Sequence, residues 1–160
     1  MKTLYIVRHA KAGDHSVSHD FERVLTEGGK SDAAEMGKQL AMRNVKPDLV
    51  LASPAARTMG TAIVIAQEIQ RPTPNIADDR RIYNAEADKL LKVIREQSDD
   101  VTSLMLVGHN PGITEFTNSI FGTIFTSLPT AGITGGQLNV NSWKDVRWGC
   151  GREEFFIAPK

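Results

Sequence analysis

The sequence predicts an α/β fold of three layers, with a mostly parallel central sheet flanked by helices. Three observations carry that expectation. Residues 3–7, 48–52 and 103–107 are short apolar, β-favouring runs without polar alternation, the pattern of strands covered on both faces. Stripes of apolar residues at helical spacing lie between and after them. Strands that alternate with helices build a parallel sheet with helical layers.

The elements follow in chain order. Thr3-Leu4-Tyr5-Ile6-Val7 reads as the first strand, and residues 10–22 as a polar loop. Thr26 is placed to cap a helix carrying Ala33, Met36, Leu40 and Ala41. Gly28-Gly29-Lys30-Ser31 mimics the end of a phosphate-binding loop, but Val24 stands where that pattern needs glycine. These residues read as the start of the helix. The second strand, residues 48–52, runs into Ser53-Pro54, an N-cap followed by proline at the first helical position. The helix behind it carries Met59, Ala62, Ile63, Ala66 and Ile69. Ala87, Leu90, Leu91 and Ile94 mark a third helix. The strand at 103–107 runs into Asn110-Pro111, the same capping device, before Ile113, Phe116, Thr117 and Ile120. Residues 122–135 read as loop, and residues 136–141 and 153–157 as later strands at one side of the sheet. With no repeat, low-complexity tract or linker, residues 1–160 are expected to form one domain.

Composition narrows the function classes. Of the 160 residues, 41% are hydrophobic and 24% charged, ordinary values for a globular chain. Nineteen basic and nineteen acidic residues cancel, so recognition of charge must be local and no basic field attracts nucleic acid. Trp143 and Trp148, beside Lys144 and Arg147, read as sheet packing rather than a stacking platform for bases. Cys150 stands alone, which excludes an internal disulfide and a Cys-rich zinc site and suits a reducing compartment. The apolar run before Arg8 is too short for a signal peptide, and no stretch approaches the ~20 apolar residues of a membrane span. A soluble cytoplasmic protein that engages neither membrane nor nucleic acid is expected. His15 and His19 have metal-ligand spacing but read as loop histidines.

Chemistry collects at three strand ends. The first strand ends in Arg8-His9-Ala10, the second in Ser53-Pro54-Ala55-Ala56-Arg57, the third in Gly108-His109-Asn110-Pro111-Gly112. In an open α/β sheet the ligand crevice lies beyond the carboxyl ends of the strands. Two arginines, two histidines and two helix N-termini would converge there, and the matching guest is a small multiply charged anion such as phosphate or sulfate. Singly, an arginine is usually a solvated surface group and a histidine usually structural. Together, at three equivalent strand ends, the functional reading prevails.

These motifs resemble the histidine phosphatase superfamily, whose fold is phosphoglycerate mutase-like. Arg8-His9-Ala10 resembles its Arg-His-Gly signature, Ser53 to Thr58 with Thr61-Ala62 its second arginine motif, and Val107 to Gly112 its second histidine motif. The short chain, the segment Asp20 to Gly28, the stretch Leu128 to Gly132 and the closing Ala158-Pro159-Lys160 are similar to the branch of the phosphohistidine phosphatase SixA. The resemblance implies that His9 is the nucleophile, that Arg8, Arg57 and His109 hold the phosphoryl oxygens, and that Arg23 joins the same pocket. It implies no cofactor and no metal.

Two departures bear on the substrate. Ala10 replaces the usual glycine. Ester-cleaving members of the family supply a carboxylic acid between the second and third motifs, where this chain offers Glu86 and Asp88, both placed as helix-start acids. Glu86 is the candidate general acid. The expectation is a metal-independent phosphatase, SixA-like, acting on phosphohistidine in a protein partner. Its alternatives are a phosphatase or mutase for small phosphorylated substrates and a non-catalytic phosphate-binding module.

Overall fold

The computed structural model describes residues 1–14, 19–69 and 75–160. Among them the strands are β1 (Lys2–Arg8), β2 (Leu49–Ala52), β3 (Asn75–Asp78), β4 (Ser103–Gly108), β5 (Ile133–Leu138) and β6 (Gly151–Ile157). The helices are α1 (Glu27–Met42), α2 (Ala56–Ile69), α3 (Ala87–Arg95) and α4 (Gly112–Phe121). All six strands form one sheet in the order β3-β2-β4-β1-β5-β6. The first four run parallel, while β5 is antiparallel to β1 and β6 to β5. His15 lies outside the described residues, and with it the reading of its pairing with His19.

The sheet separates two cores, as unalternating strands require. Leu4, Ile6, Leu104 and Leu106 pack toward α3 and α4 with Leu90, Ile94, Phe116 and Ile120. Val7, Met105, Val107 and Val50 pack toward α1 and α2 with Met36, Leu40, Ile65 and Ala62. The expected three layers are present, with α1 against α2 on one face and α3 against α4 on the other. Trp143 is wholly buried in the first core, and its indole N–H donates to Val101 O at 2.7 Å. Trp148 is 40% exposed, edge-on to Phe116. No helix among the described residues is long and apolar enough to cross a membrane.

Several boundaries differ from expectation. The short edge strand β3 has only Ile76 and Ala77 as apolar residues, too few for a recognisable run. Strand β5 begins at Ile133, earlier than residues 136–141, because Gly135-Gly136 is strand and not turn. A β-carbon on Gly135 would lie 2.7 Å from Tyr5 Cδ1, and one on Gly136 2.1 Å from Arg152 O, so the glycines serve close approach of chains. Thr26 caps α1 as expected, accepting from Gly29 N at 2.9 Å.

The two proline-marked helix starts are corrected. Helix α2 begins at Ala56, so Pro54 precedes its first turn and Ser53 is not its cap. Helix α4 begins at Gly112 with Pro111 at the capping position and no side-chain cap. Ser53 Oγ accepts from Ala55 N at 3.3 Å, one residue before α2, and both polar side chains also reach partners away from the helix start. Ser53 Oγ lies 2.8 Å from His109 Nε2, while Asn110 accepts from Thr114 Oγ1 at 2.6 Å and donates to Ser127 and Leu128. Gly112 is required by packing, since a β-carbon there would fall 1.9 Å from Ala85 O.

Candidate active site

Sheet order makes neighbours of the three motif-bearing strands, and register aligns their ends. Arg8 pairs with Gly108, and Ala52 with Val107. The ladder continues one step beyond, with His9 N donating to Gly108 O at 3.2 Å and Ser53 N to Val107 O at 3.2 Å. His9, Ser53 and His109 therefore leave the sheet at one level. Arg57 follows in the first turn of α2. Thr58 Oγ1 fixes that turn by donating to Ser53 O at 2.7 Å, and Thr61 Oγ1 ties it to β1 by accepting from Ala10 N at 2.9 Å. The loop before β5 braces the other side, where Ala131 N donates to Arg8 O and His9 O, both at 3.1 Å.

A cavity of about 680 Å³ opens over these strand ends, lined by Arg8, His9, Arg57 and His109 together with Lys11, Asp20, Arg23, Asn84 and Asn110. The sequence-expected residues Arg8, His9, Arg23, Arg57 and His109 thus share one cavity. Glu86 and Asp88 do not line it. They line an adjoining cleft with Arg80, Lys89 and Lys92, and Asn84 borders both spaces. Glu86 is the residue before α3 and Asp88 lies in its first turn.

The two histidines are held neutral. His9 Nδ1 lies 2.7 Å from Ala10 O; a carbonyl only accepts, so Nδ1 carries the proton and Nε2 keeps its lone pair. Burial, with help from Arg57, Arg8 and Arg23, lowers His9 to about 4 against the opposing pull of the Ala10 carbonyl. Burial, then Arg57 and His9, lowers His109 to about 3. Their ring centroids are 5.5 Å apart.

Three buried nitrogens at this site have no hydrogen-bond partner: Arg8 Nε, Arg57 Nε and His109 Nδ1. Each such orphan costs about 1–3 kcal/mol, and three together are a large fraction of the ~5–15 kcal/mol that holds a domain folded. Burial also lowers the Arg8 pKa, since the charge is removed from water.

Asp20 and Tyr83 are site residues that the sequence reading did not single out. The Asp20 carboxylate accepts from Arg23 Nη2 at 2.9 Å, from Arg57 Nη2 at 3.1 Å and from the Tyr83 hydroxyl. The Tyr83 hydroxyl, then Arg23 and Arg57, hold its pKa well below the usual carboxylate range. Asp20 lies within a segment that carries the family resemblance and Tyr83 lies in none, and a lone Asp in a polar loop has no signal of its own.

Comparison with known proteins agrees with this geometry. The model of the histidine phosphatase superfamily (branch 1) matches residues 4–84, which include Arg8, His9, Arg23 and Arg57. An uncharacterised protein of Mycobacterium leprae (strain TN) is 30% identical over 96% of this chain and 100% of its own length. A crystal structure provisionally assigned as the phosphohistidine phosphatase SixA from Agrobacterium tumefaciens superposes with a TM-score of 0.84 at 30% identity, covering 99% of this chain and 98% of that one. The protein histidine phosphatase SixA complexed with tungstate shares the fold, with a TM-score of 0.81 at 19% identity over 98% and 97% of the two chains. Fold, motif order and sequence agree, and the chain belongs to the histidine phosphatase superfamily (branch 1).

Proposed function

We propose that this protein is a metal-independent phosphatase that carries the phosphoryl group on His9, and that its substrate is phosphohistidine in a partner protein. The observation that carries the reading is one cavity lined by His9 together with Arg8, Arg57 and His109, which sheet register and the first turn of α2 bring to one level. Two guanidinium groups beside two imidazoles match the oxygens of a phosphoryl group.

The chemistry follows from the tautomer. Neutral His9 presents Nε2 to phosphorus; the His9 N–P bond forms as the bond from phosphorus to the substrate imidazole breaks, and that imidazole, protonated by solvent on its other ring nitrogen, leaves as the neutral base. Charge on the three equatorial oxygens is met by Arg8, Arg57 and His109. Water then attacks phosphorus, breaks the His9 N–P bond and releases inorganic phosphate. His9 and His109 stay uncharged at neutral pH, so the nucleophile is not lost to protonation.

The leaving group supports phosphohistidine over alkyl esters. Asp20 is held ionised by Tyr83, Arg23 and Arg57, and Glu86 lines the adjoining cleft. Neither is a protonated acid set in the cavity, and an imidazole leaves with less help than an alkoxide. The Agrobacterium tumefaciens relative, by its assignment, points the same way.

The test compares a phosphohistidine protein, an aryl phosphate and glycerol phosphate, with and without EDTA. Turnover should survive chelation and fall in that order, and Glu86→Gln should change it less than about twofold, within the effect of an ordinary surface substitution. Alkyl-ester turnover that equals phosphohistidine turnover and vanishes in Glu86→Gln would move the protein to the small-ester reading. Activity lost with EDTA and restored by magnesium would overturn the mechanism.

A further inference from the structure

The cavity proposed to hold a phosphoryl group already contains an anion. Asp20 lines it, and its Oδ1 accepts from Arg23 Nε and Nη2 at 3.2 and 2.9 Å. Its Oδ2 accepts from Arg57 Nη2 at 3.1 Å, and its main-chain carbonyl accepts from Arg57 Nη1 at 2.7 Å. Both terminal nitrogens of Arg57 are thereby directed at a single residue. The arginine is 4% exposed, and a buried guanidinium without a counter-charge is strongly unfavourable. The Tyr83 hydroxyl, itself edge-on to Phe21 with centroids 5.1 Å apart, anchors the carboxylate from the other side. The remaining charges around the cavity, Arg8 and Lys11, are cationic.

An oxyanion entering this cavity meets a fixed negative charge and finds donors of Arg23 and Arg57 already engaged. Three arginines and a lysine alone would hold inorganic phosphate, the product of the reaction, tightly. The carboxylate offsets that field while keeping Arg57 paired in the empty protein.

We propose that Asp20 is the resident counter-anion of the phosphoryl pocket: it takes the donors of Arg23 and Arg57 when the pocket is empty and weakens the hold on inorganic phosphate when it is full. The inference rests on the phosphoryl-pocket reading given above. It makes Asp20 a tuner of product release, not a group that reacts.

The experiment is calorimetric binding of inorganic phosphate and of tungstate to the wild-type chain and to Asp20→Asn at pH 7.5 and fixed ionic strength. Asp20→Asn should bind both oxyanions at least about tenfold more tightly, because a like charge is gone from beside the site. Without oxyanion its melting temperature should fall, since Arg57 loses its counter-charge, and phosphate should restore it by more than it raises the wild type. Equal or weaker binding by Asp20→Asn would overturn the inference and leave Asp20 as an orienting group. Absence of oxyanion binding in both proteins would overturn the pocket reading itself, and this inference with it. Should Asp20→Asn fail to fold, Tyr83→Phe loosens the same carboxylate and keeps both arginines. It should tighten phosphate binding by about twofold to threefold, as loss of one hydrogen bond allows, and unchanged or weaker binding would count against the proposal.

Discussion

The cavity has two walls of different construction. One wall is made of strand ends and the first turn of a helix: His9 beyond β1 and His109 beyond β4, placed by sheet register, and Arg57 in the first turn of α2, with the buried Ser53 behind them. The other comes from segments between the main elements: Asp20, in a short 3-10 turn, and Arg23 from the connection after β1, and Asn84 from the turn before α3, with Tyr83 reaching Asp20 from the adjoining cleft. Backbone ladders hold the first wall. The second is held chiefly by one carboxylate, which gathers Arg23, Arg57 and Tyr83. The rigid wall carries the reacting groups, and the loop wall sets the field around them.

The largest expected effect separates the two walls directly. His9→Ala should abolish turnover while retaining the fold, because His9 lies beyond the last residue of β1. Rapid quench of the wild type with labelled substrate should trap phosphate on His9. Arg57→Ala should cost about 2–4 kcal/mol of transition-state stabilisation, as for loss of a preorganised donor. Arg23→Ala should cost about 1.5 kcal/mol, the value of hydrogen bonds to a charged group, because its partners are Asp20 and Gly13 O. Equal losses in kcat/KM for Arg23→Ala and Arg57→Ala would erase the distinction.

Acid should separate the walls next. His9 is lowered to about 4 and His109 to about 3, whereas an unfolded histidine titrates near ~6.5. Between those values the unfolded chain binds protons that the folded chain refuses. The two histidines therefore add stability above about pH 6.5 that is lost as pH falls through the folded values, each by at most about 1.4 kcal/mol per pH unit. The loop wall does not follow, because Asp20 remains ionised through this window. Chemical denaturation at pH 7.5, 5.5 and 4.5 should show a steep loss in the wild type and a shallower one in the His9→Gln/His109→Gln double variant. Parallel losses would show that the histidines are not the titrating groups.

The smallest effect tests how the rigid wall is tuned. Ser53→Ala removes the hydroxyl 2.8 Å from His109 Nε2. It should cost about 1 kcal/mol in kcat/KM, roughly fivefold, and Ser53→Thr should recover part of it. The His109 ring nitrogen shifts in an NMR spectrum should move in Ser53→Ala and return in Ser53→Thr. Full activity with unmoved shifts would make the contact incidental.

These two walls were also unequally legible in the sequence. Unalternating apolar runs announce covered parallel strands, and a charged residue directly after such a run has no packing reason to be there. His9 could be found that way, and Arg8, Arg57 and His109 because they gather with it at three equivalent strand ends. Arg23 came only from family resemblance. Asp20 and Tyr83 could not be found, since their importance lies in hydrogen bonds across sequence separations of 37 and 63 residues. The capping device at Ser53-Pro54 was misread for a related reason. A serine before proline signals a helix start locally; here the hydroxyl accepts from Ala55 N, one residue short of α2, and also meets a buried histidine that follows another strand. Gly135 misled in the same manner, because its close approach to Tyr5 leaves no trace in the local sequence.

Gly112 has a consequence that reaches beyond its own helix. The main chain at Ala85 passes so near that a β-carbon on Gly112 would sit 1.9 Å from its carbonyl oxygen. The missing methyl group works as a spacer gauge between the helix that follows His109 and the segment that carries Tyr83, Asn84 and Glu86. Any larger residue would act as a wedge, prising that segment outward and carrying Tyr83 away from Asp20. A position that touches no substrate would then govern the mechanical alignment of the two walls, and a chain that accepted a side chain there would have to rebuild the turn before α3 to match.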